Sequence, residues 1–173
     1  ALSGTSLSAS YSSGNVSGNL SASGALNIGG LAGSLQEANS SIRNCFATGN
    51  INASSGSLIR GGGLAGALLA SIANCYATGN VACTAQTNNI GALGGFIGNA
   101  AYTNSYRNSG AAITVNGQPA TLVDASVATP KTKTEMQTDA FKGSLNGASG
   151  TAWGRDGGKN DGLPYIIGVG VGR

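Results

Sequence analysis

Apolar positions along this chain fall in short clusters that return at a fixed interval. The clearest copy runs Gly63-Leu64-Ala65-Gly66 and then Ser71-Ile72-Ala73-Asn74-Cys75-Tyr76-Ala77-Thr78-Gly79-Asn80-Val81. One interval earlier the same order reads Gly30-Leu31-Ala32-Gly33 and then Asn44-Cys45-Phe46-Ala47-Thr48-Gly49-Asn50-Ile51. A degraded copy opens the chain at Ser10-Tyr11-Ser12-Ser13-Gly14-Asn15-Val16, and another follows Gly95-Phe96-Ile97-Gly98 at Asn104-Ser105-Tyr106-Arg107-Asn108. The runs are too short and too closely bounded by glycine for helices, and they lack a 3.6-residue period. They predict strands of three to six residues. The Gly-Asn and Gly-Gly steps between them predict corners at which glycine supplies a positive φ. A ~30-residue unit of this kind hides its apolar side only by stacking on its neighbours. The expected fold is therefore all-β: a β-solenoid, parallel β-helix-like, of about four repeats.

Alternation within the Cys-aromatic strand leaves its buried face open. Strict period-two geometry puts Ile42, Asn44, Phe46 and Thr48 on one side and Arg43, Cys45 and Ala47 on the other. A kink at Asn44 instead turns Ile42, Cys45 and Ala47 inward and leaves the aromatics stacked outside. Asparagine is a habitual bend residue, which favours the kink. Under either geometry Tyr11, Phe46, Tyr76 and Tyr106 form one column. Exposed, such a column is a candidate ligand-contact surface, because tyrosine rings stack on sugar faces. Cys45 and Cys75 occupy one place in successive repeats, so rungs about 4.8 Å apart place them one above the other. A ladder of small buried thiols is the favoured reading, ahead of a disulfide. The chain has no CxxC spacing and no histidine, so a metal site ranks last.

The tail departs from the repeats. Residues 1–124 are assigned to the solenoid and 125–173 to a capping segment, since a solenoid end exposes apolar cross-section and unpaired strand edges. Thr132-Lys133-Thr134-Glu135 has capping-box spacing, and Met136, Ala140 and Phe141 fall on one helical face, predicting a short helix over 133–142. Trp153, Pro164, Tyr165, Ile166 and Ile167 concentrate bulky side chains there. The chain begins and ends mid-pattern, as expected of a piece of a larger parent.

Charge narrows the function classes. Charged residues make up 9% of the 173, and only Glu37, Arg43 and Arg60 precede position 100. A net +3 placed this way forms no basic stripe, so nucleic acid is not an expected partner. No apolar run approaches the ~20 residues that cross a bilayer, so no membrane insertion is expected. Without histidine the usual general base is missing, and the six acids include no close pair in the repeats. Asp124, Glu135 and Asp139 would meet in space only by accident. No enzymatic activity, catalytic residue, cofactor or metal is expected. Gly61-Gly62-Gly63-Leu64-Ala65-Gly66 satisfies GxGxxG, but no acid or helical pattern follows, so these glycines read as repeat corners. Asp156-Gly157-Gly158-Lys159-Asn160-Asp161-Gly162 resembles a calcium loop only distantly. It lacks the closing glutamate and carries a lysine, and a plain turn is the better reading. Thr48 and Thr78 recur once per unit, too sparse for an ice-binding array.

The paired signature, Gly-Gly-Leu-Ala-Gly and then Asn-Cys-(Phe/Tyr)-Ala-Thr-Gly-Asn-(Ile/Val), resembles the GLUG motif of bacterial surface proteins. Two copies match closely and two partially, over roughly residues 7–110. On this resemblance Gly30, Gly33, Cys45, Gly49, Gly63, Gly66, Cys75, Gly79, Gly95 and Gly98 are structural repeat positions. The tail is similar to the segment that often closes such arrays: Thr134-Glu135-Met136, Trp153, and Gly162-Leu163-Pro164-Tyr165-Ile166, with Leu163 in place of the usual aromatic. Arg107 and Ser109 break the fourth Ala-Thr-Gly. The motif occurs in large adhesins, haemagglutinin-like exoproteins and non-catalytic regions of IgA-specific metallopeptidases. It implies a secreted or surface location and a non-catalytic structural or adhesive role, with a host glycan or extracellular protein as partner. The alternative it carries is an accessory or spacer domain whose parent acts elsewhere.

Overall fold

The computed structural model describes residues 4–37, 39–98 and 101–170. The outermost residues assigned to the array and the cap, 1–3 and 171–173, lie outside the described residues. Three coils of four strands come first. They are β1 (Ser6–Ser12), β2 (Val16–Leu20), β3 (Ala25–Gly29) and β4 (Ala32–Leu35); then β5 (Ser41–Ala47), β6 (Ile51–Ser55), β7 (Leu58–Gly62) and β8 (Ala65–Leu68); then β9 (Ser71–Ala77), β10 (Val81–Thr84), β11 (Thr87–Ile90) and β12 (Gly94–Phe96). Equivalent strands pair in parallel, making four sheets along the stack: β1-β5-β9, β2-β6-β10, β3-β7-β11 and β4-β8-β12. The chain is an all-β, β-helix-like solenoid. Asn15 and Asn50, one coil apart, are separated by 35 residues, and Asn50 and Asn80 by 30.

Beyond the third coil, β13 (Tyr102–Asn108) adds to the first sheet and β14 (Ile113–Val115) to the second. The short β15 (Gln118–Pro119) folds back antiparallel on β14, and β16 (Thr129–Lys131) adds a fifth rung to the first sheet. Residues 129–131, assigned to the cap by sequence, are thus still a rung of the stack. The chain then runs through α1 (Lys133–Met136), α2 (Asp139–Asn146), β17 (Trp153–Gly154), a 3-10 turn at Asn160–Gly162 and β18 (Tyr165–Ile166). The single helix expected over 133–142 is two. Thr132 and Glu135 close the expected capping box, but Thr138 accepts the amide of Phe141 and starts a second helix.

The interior holds two apolar columns. Ile42, Cys45, Leu64, Leu68, Ile72, Cys75 and Leu93 pack between the first and fourth sheets. Ile28, Ile51, Ile59, Val81, Cys83 and Ile90 pack between the second and third. Glycine at the corners is required by proximity, which corrects the expectation that these corners need a positive φ. Gly30, Gly49, Gly63 and Gly79 all have ordinary backbone; of the repeat glycines only Gly98 has φ in the left-handed region, at 45°. A Cβ on Gly79 would overlap the Gly49 carbonyl in the coil below, and one on Gly66 would sit 2.6 Å from the Arg60 carbonyl oxygen. The left-handed positions fall instead on Asn44, Asn74 and Asn104, at φ 50°, 55° and 43°, residues whose short polar side chains tolerate it. Their carboxamides form a ladder, Asn104 donating to Asn74 and Asn74 to Asn44. Ala9 takes the same conformation, φ 47°, in the degraded first copy.

Asp124 closes the far end of the stack. In the lower coils the corner amides donate to carbonyls of the next coil: Gly63 to Ala92, and both Leu64 and Ala65 to Leu93. The corresponding amides of the third coil, Ala92, Leu93 and Gly94, donate to the carboxylate of Asp124 at 2.9, 2.7 and 3.1 Å. One fully buried side chain thereby replaces a corner of the missing coil.

Candidate functional site

The kinks at Asn44 and Asn74 turn Ile42, Cys45 and Ala47, with their counterparts Ile72, Cys75 and Ala77, into the interior. The aromatics face the other way. Tyr11, Phe46 and Tyr76 stack with centroids 5.1 Å apart and planes within 11° of parallel. The column is therefore outside the solenoid, but it does not face solvent. Residues of the 133–166 segment cover it: Met136, Phe141, Leu145, Trp153, Leu163 and Ile166 form one cluster with Phe46, Tyr76 and Tyr106. Phe46 and Tyr76 are 0% exposed and Tyr106 is 9% exposed. The expectation that these three rings meet a ligand is overturned, because tail side chains occupy their open faces. Tyr11, half-buried at the edge of the cluster, is the exception. The tail is thus a lateral cover as well as an end piece.

Contacts that lock the cover are specific. The Tyr76 hydroxyl donates to the Pro164 carbonyl at 2.6 Å and accepts from Asn160 Nδ2 at 3.0 Å; Nδ2 also reaches Pro164 O at 2.8 Å. Burial pushes the Tyr76 phenol far above its ordinary range, with the Asn160 bond opposing. Trp153 tilts against both Phe46 and Tyr76, at 5.9 and 5.6 Å.

Cys45 and Cys75 are paired rung to rung, and both are free and buried, as is Cys83. The Cys75 hydrogen bond holds the Cys45 thiol below its ordinary value, while burial and the neighbouring Cys45 raise Cys75. Burial alone lifts Cys83 to about 11. The three acids that could have met by accident have separate duties. Asp124 closes the stack, Glu135 accepts from Thr132, and Asp139 pairs with Lys142 at 2.9 Å. In the calcium-like loop, Asp156 Oδ1 accepts the Gly158 amide and Asp161 pairs with Lys133 of α1 at 2.5 Å, leaving a turn tied to the first helix. The GxGxxG stretch ends in a strand, β8, rather than a helix.

A cleft of about 250 Å³ opens where the Thr-Gly-Asn corners meet this turn. Thr48, Thr78 and Asn108 line it on the solenoid side; Lys133, Asn160 and Asp161 line it on the cover side. Its inner wall is ordered by a second asparagine ladder, in which Asn15 Oδ1 accepts from Asn50 N, Asn50 Oδ1 from Asn80 N, and Asn80 Oδ1 from Ala112 N. Asn160 is 2% exposed, and its Oδ1 has no hydrogen-bond partner among the described residues. Sequence reasoning passed over this constellation, since half of it comes from a non-repeating loop that meets the corners only in three dimensions.

Fold and site together define a β-solenoid of stacked repeats, closed at one end and laterally covered. Residues 24–52 and 57–82 each match the family model described as the GLUG motif, so the chain contains a GLUG repeat region. The first match spans β3, β4 and β5 and enters β6; the second runs from β7 into β10. No curated protein and no solved structure matches the chain.

Proposed function

We propose that this chain is a non-catalytic structural and adhesive module of a secreted or surface-anchored bacterial protein, one that closes an array of stacked repeats. The supporting observation is the asymmetry of its ends. Among the described residues β1, β2, β3 and β4 each have a neighbour on one side only, so four parallel edges of one pitch are open to a further coil. At the other end β11, β12 and β16 also have one neighbour each, but β15 folds back antiparallel on the second sheet and the Asp124 carboxylate takes the corner amides that a further coil would take. Open edges in register are a template for the same fold and for an added strand. Extracellular glycan or matrix protein is the class of ligand this reading assigns.

A second reading is a spacer or accessory domain of a surface peptidase or other exoprotein, with activity elsewhere in the parent. It is favoured by the burial of the aromatic column, which withdraws the most adhesive-looking surface from solvent. Incubating the folded chain with a glycan and matrix-protein array separates the two. Saturable, reproducible binding supports adhesion; a blank from folded protein supports the spacer.

A further inference from the structure

We propose that the cleft between the Thr-Gly-Asn corners and the 156–163 turn binds a single neutral sugar residue. The proposal deepens the adhesive reading and rests on it. A sugar needs hydrogen-bond donors and acceptors at alternating positions, with little net charge around them. Thr48 and Thr78 line the cleft one coil apart, about 4.8 Å along the stack, a spacing that vicinal or alternate hydroxyls of one ring can bridge. Asn108 also lines the cleft, its carboxamide held by the Thr78 carbonyl and the Gly110 amide. The two charged groups, Lys133 and Asp161, are paired with each other at 2.5 Å. They therefore cancel, and the cleft offers no excess positive charge of the kind a phosphate or carboxylate ligand requires.

Preorganisation is the second, independent strand of the argument. Asn160 and Asp161 are consecutive non-glycine residues in the left-handed region, at φ 47° and 54°. Asparagine and aspartate take this conformation more readily than other residues, and two in succession persist where surrounding contacts enforce them. Here the Tyr76–Pro164–Asn160 hydrogen bonds enforce them. The same arrangement leaves Asn160 Oδ1 sealed from solvent without a donor among the described residues, a cost the fold bears to hold this turn in place. The volume, about 250 Å³, lies just below the ~300–1,000 Å³ of drug-sized pockets and suits one ring, so a longer glycan is read through its terminal residue.

The test uses the folded chain and defined probes: methyl glycosides of glucose, galactose and N-acetylglucosamine, with N-acetylneuraminic acid and inorganic phosphate as charged comparators. Ligand-observed saturation-transfer NMR and titration calorimetry read binding to the unmodified protein and to Thr78→Val, Asp161→Asn and Ser54→Ala. Asparagine tolerates the left-handed conformation of position 161, and Ser54 lies on the second sheet, outside the cleft. The expected result is saturable binding of at least one neutral glycoside. It weakens about tenfold or more in Thr78→Val and Asp161→Asn, as loss of a ligand hydrogen bond requires, and is unchanged in Ser54→Ala. If Thr78→Val melts early, Thr78→Ser should restore both fold and binding. Binding of the charged probes alone, no binding of any neutral glycoside, or binding indifferent to both cleft substitutions overturns the inference. The last outcome, with a positive array, leaves adhesion standing and removes only the cleft. A blank array together with silent NMR removes both.

Discussion

Replacing Asp124 by alanine should cost the fold about 4 kcal/mol. The side chain is completely buried and accepts three amides, from Ala92, Leu93 and Gly94, at 2.7–3.1 Å. Each buried N–H left without an acceptor costs roughly 1–3 kcal/mol, which sums to about 3–9. Two effects pull the total toward the lower end. Water can enter the space the carboxylate vacates, and the substitution relieves the desolvation of a buried charge, itself several kcal/mol. Against a typical total stability of about 5–15 kcal/mol, a loss near 4 is large. Urea unfolding followed by circular dichroism measures it, comparing the alanine variant with Asp124→Asn, which keeps one acceptor oxygen and should lose less. Hydrogen exchange adds the local signature: amides 92–94 should lose protection before those of the second-coil corner, whose acceptors are backbone carbonyls of the third coil. A loss below about 1 kcal/mol for alanine, with amides 92–94 still protected, would refute the idea that this carboxylate closes the stack.

Three further outcomes follow from the cover and the core. Phe46→Ala should destabilise by about 3–5 kcal/mol in the same urea assay, because the ring is fully buried between Tyr11, Tyr76 and Trp153; Tyr11→Ala, half-buried, should cost clearly less. Equal, small effects would mean that the cover does not pack on the column. At pH 8 all three thiols should resist iodoacetamide in the folded chain and react together in urea, since each is buried and Cys83 titrates only near 11. Rapid native labelling of Cys45 and Cys75 would put their strand face outward. Acid should loosen the helical segment: Thr132 holds the Glu135 carboxyl below its ordinary value, and Lys142 does the same for Asp139. A depressed folded value means their contribution is complete only above the unfolded values, 4.5 for Glu135 and 3.8 for Asp139, and fades as pH falls through the depressed values. Helical ellipticity should therefore hold above about pH 5 and decline below it, with Glu135→Gln flattening the profile; a decline already complete by pH 5 contradicts that assignment.

The parts of the molecule that sequence reveals are those that repeat. Cys45 opposite Cys75 and Phe46 opposite Tyr76 were readable, because one interaction recurs at one interval and each copy confirms the other. The Asn44 kink was readable as chemistry, since asparagine adopts left-handed backbone at low cost, although Ala9 shows that the coil geometry imposes it without an asparagine. The role of the corner glycines was misread. A pattern of Gly-Gly and Gly-Asn signals tight geometry, but sequence does not say whether the constraint is a dihedral angle or an approach between coils. The cover was the larger omission. Tyr76 meets Pro164 across 88 residues of chain, and neither the bulky tail nor the aromatic column carries a mark that assigns one to the other. A column of rings every repeat looks alike whether it awaits a ligand or is already occupied. For the same reason Asp124 read as one of three stray acids, when its burial on a coil corner gives it a backbone role.

The chain contains a single tryptophan, and the central claim, that the tail folds back over the aromatic column, passes through it. Trp153 is 2% exposed and sits 5.6 Å from the Tyr76 ring and 5.9 Å from Phe46. Acrylamide quenching of its fluorescence in the folded protein is the most direct measurement. The covered arrangement predicts blue-shifted emission and strong protection from quencher, both lost on unfolding in urea. Solvent-like emission and free quenching from a chain whose β-sheet circular dichroism is intact would contradict it.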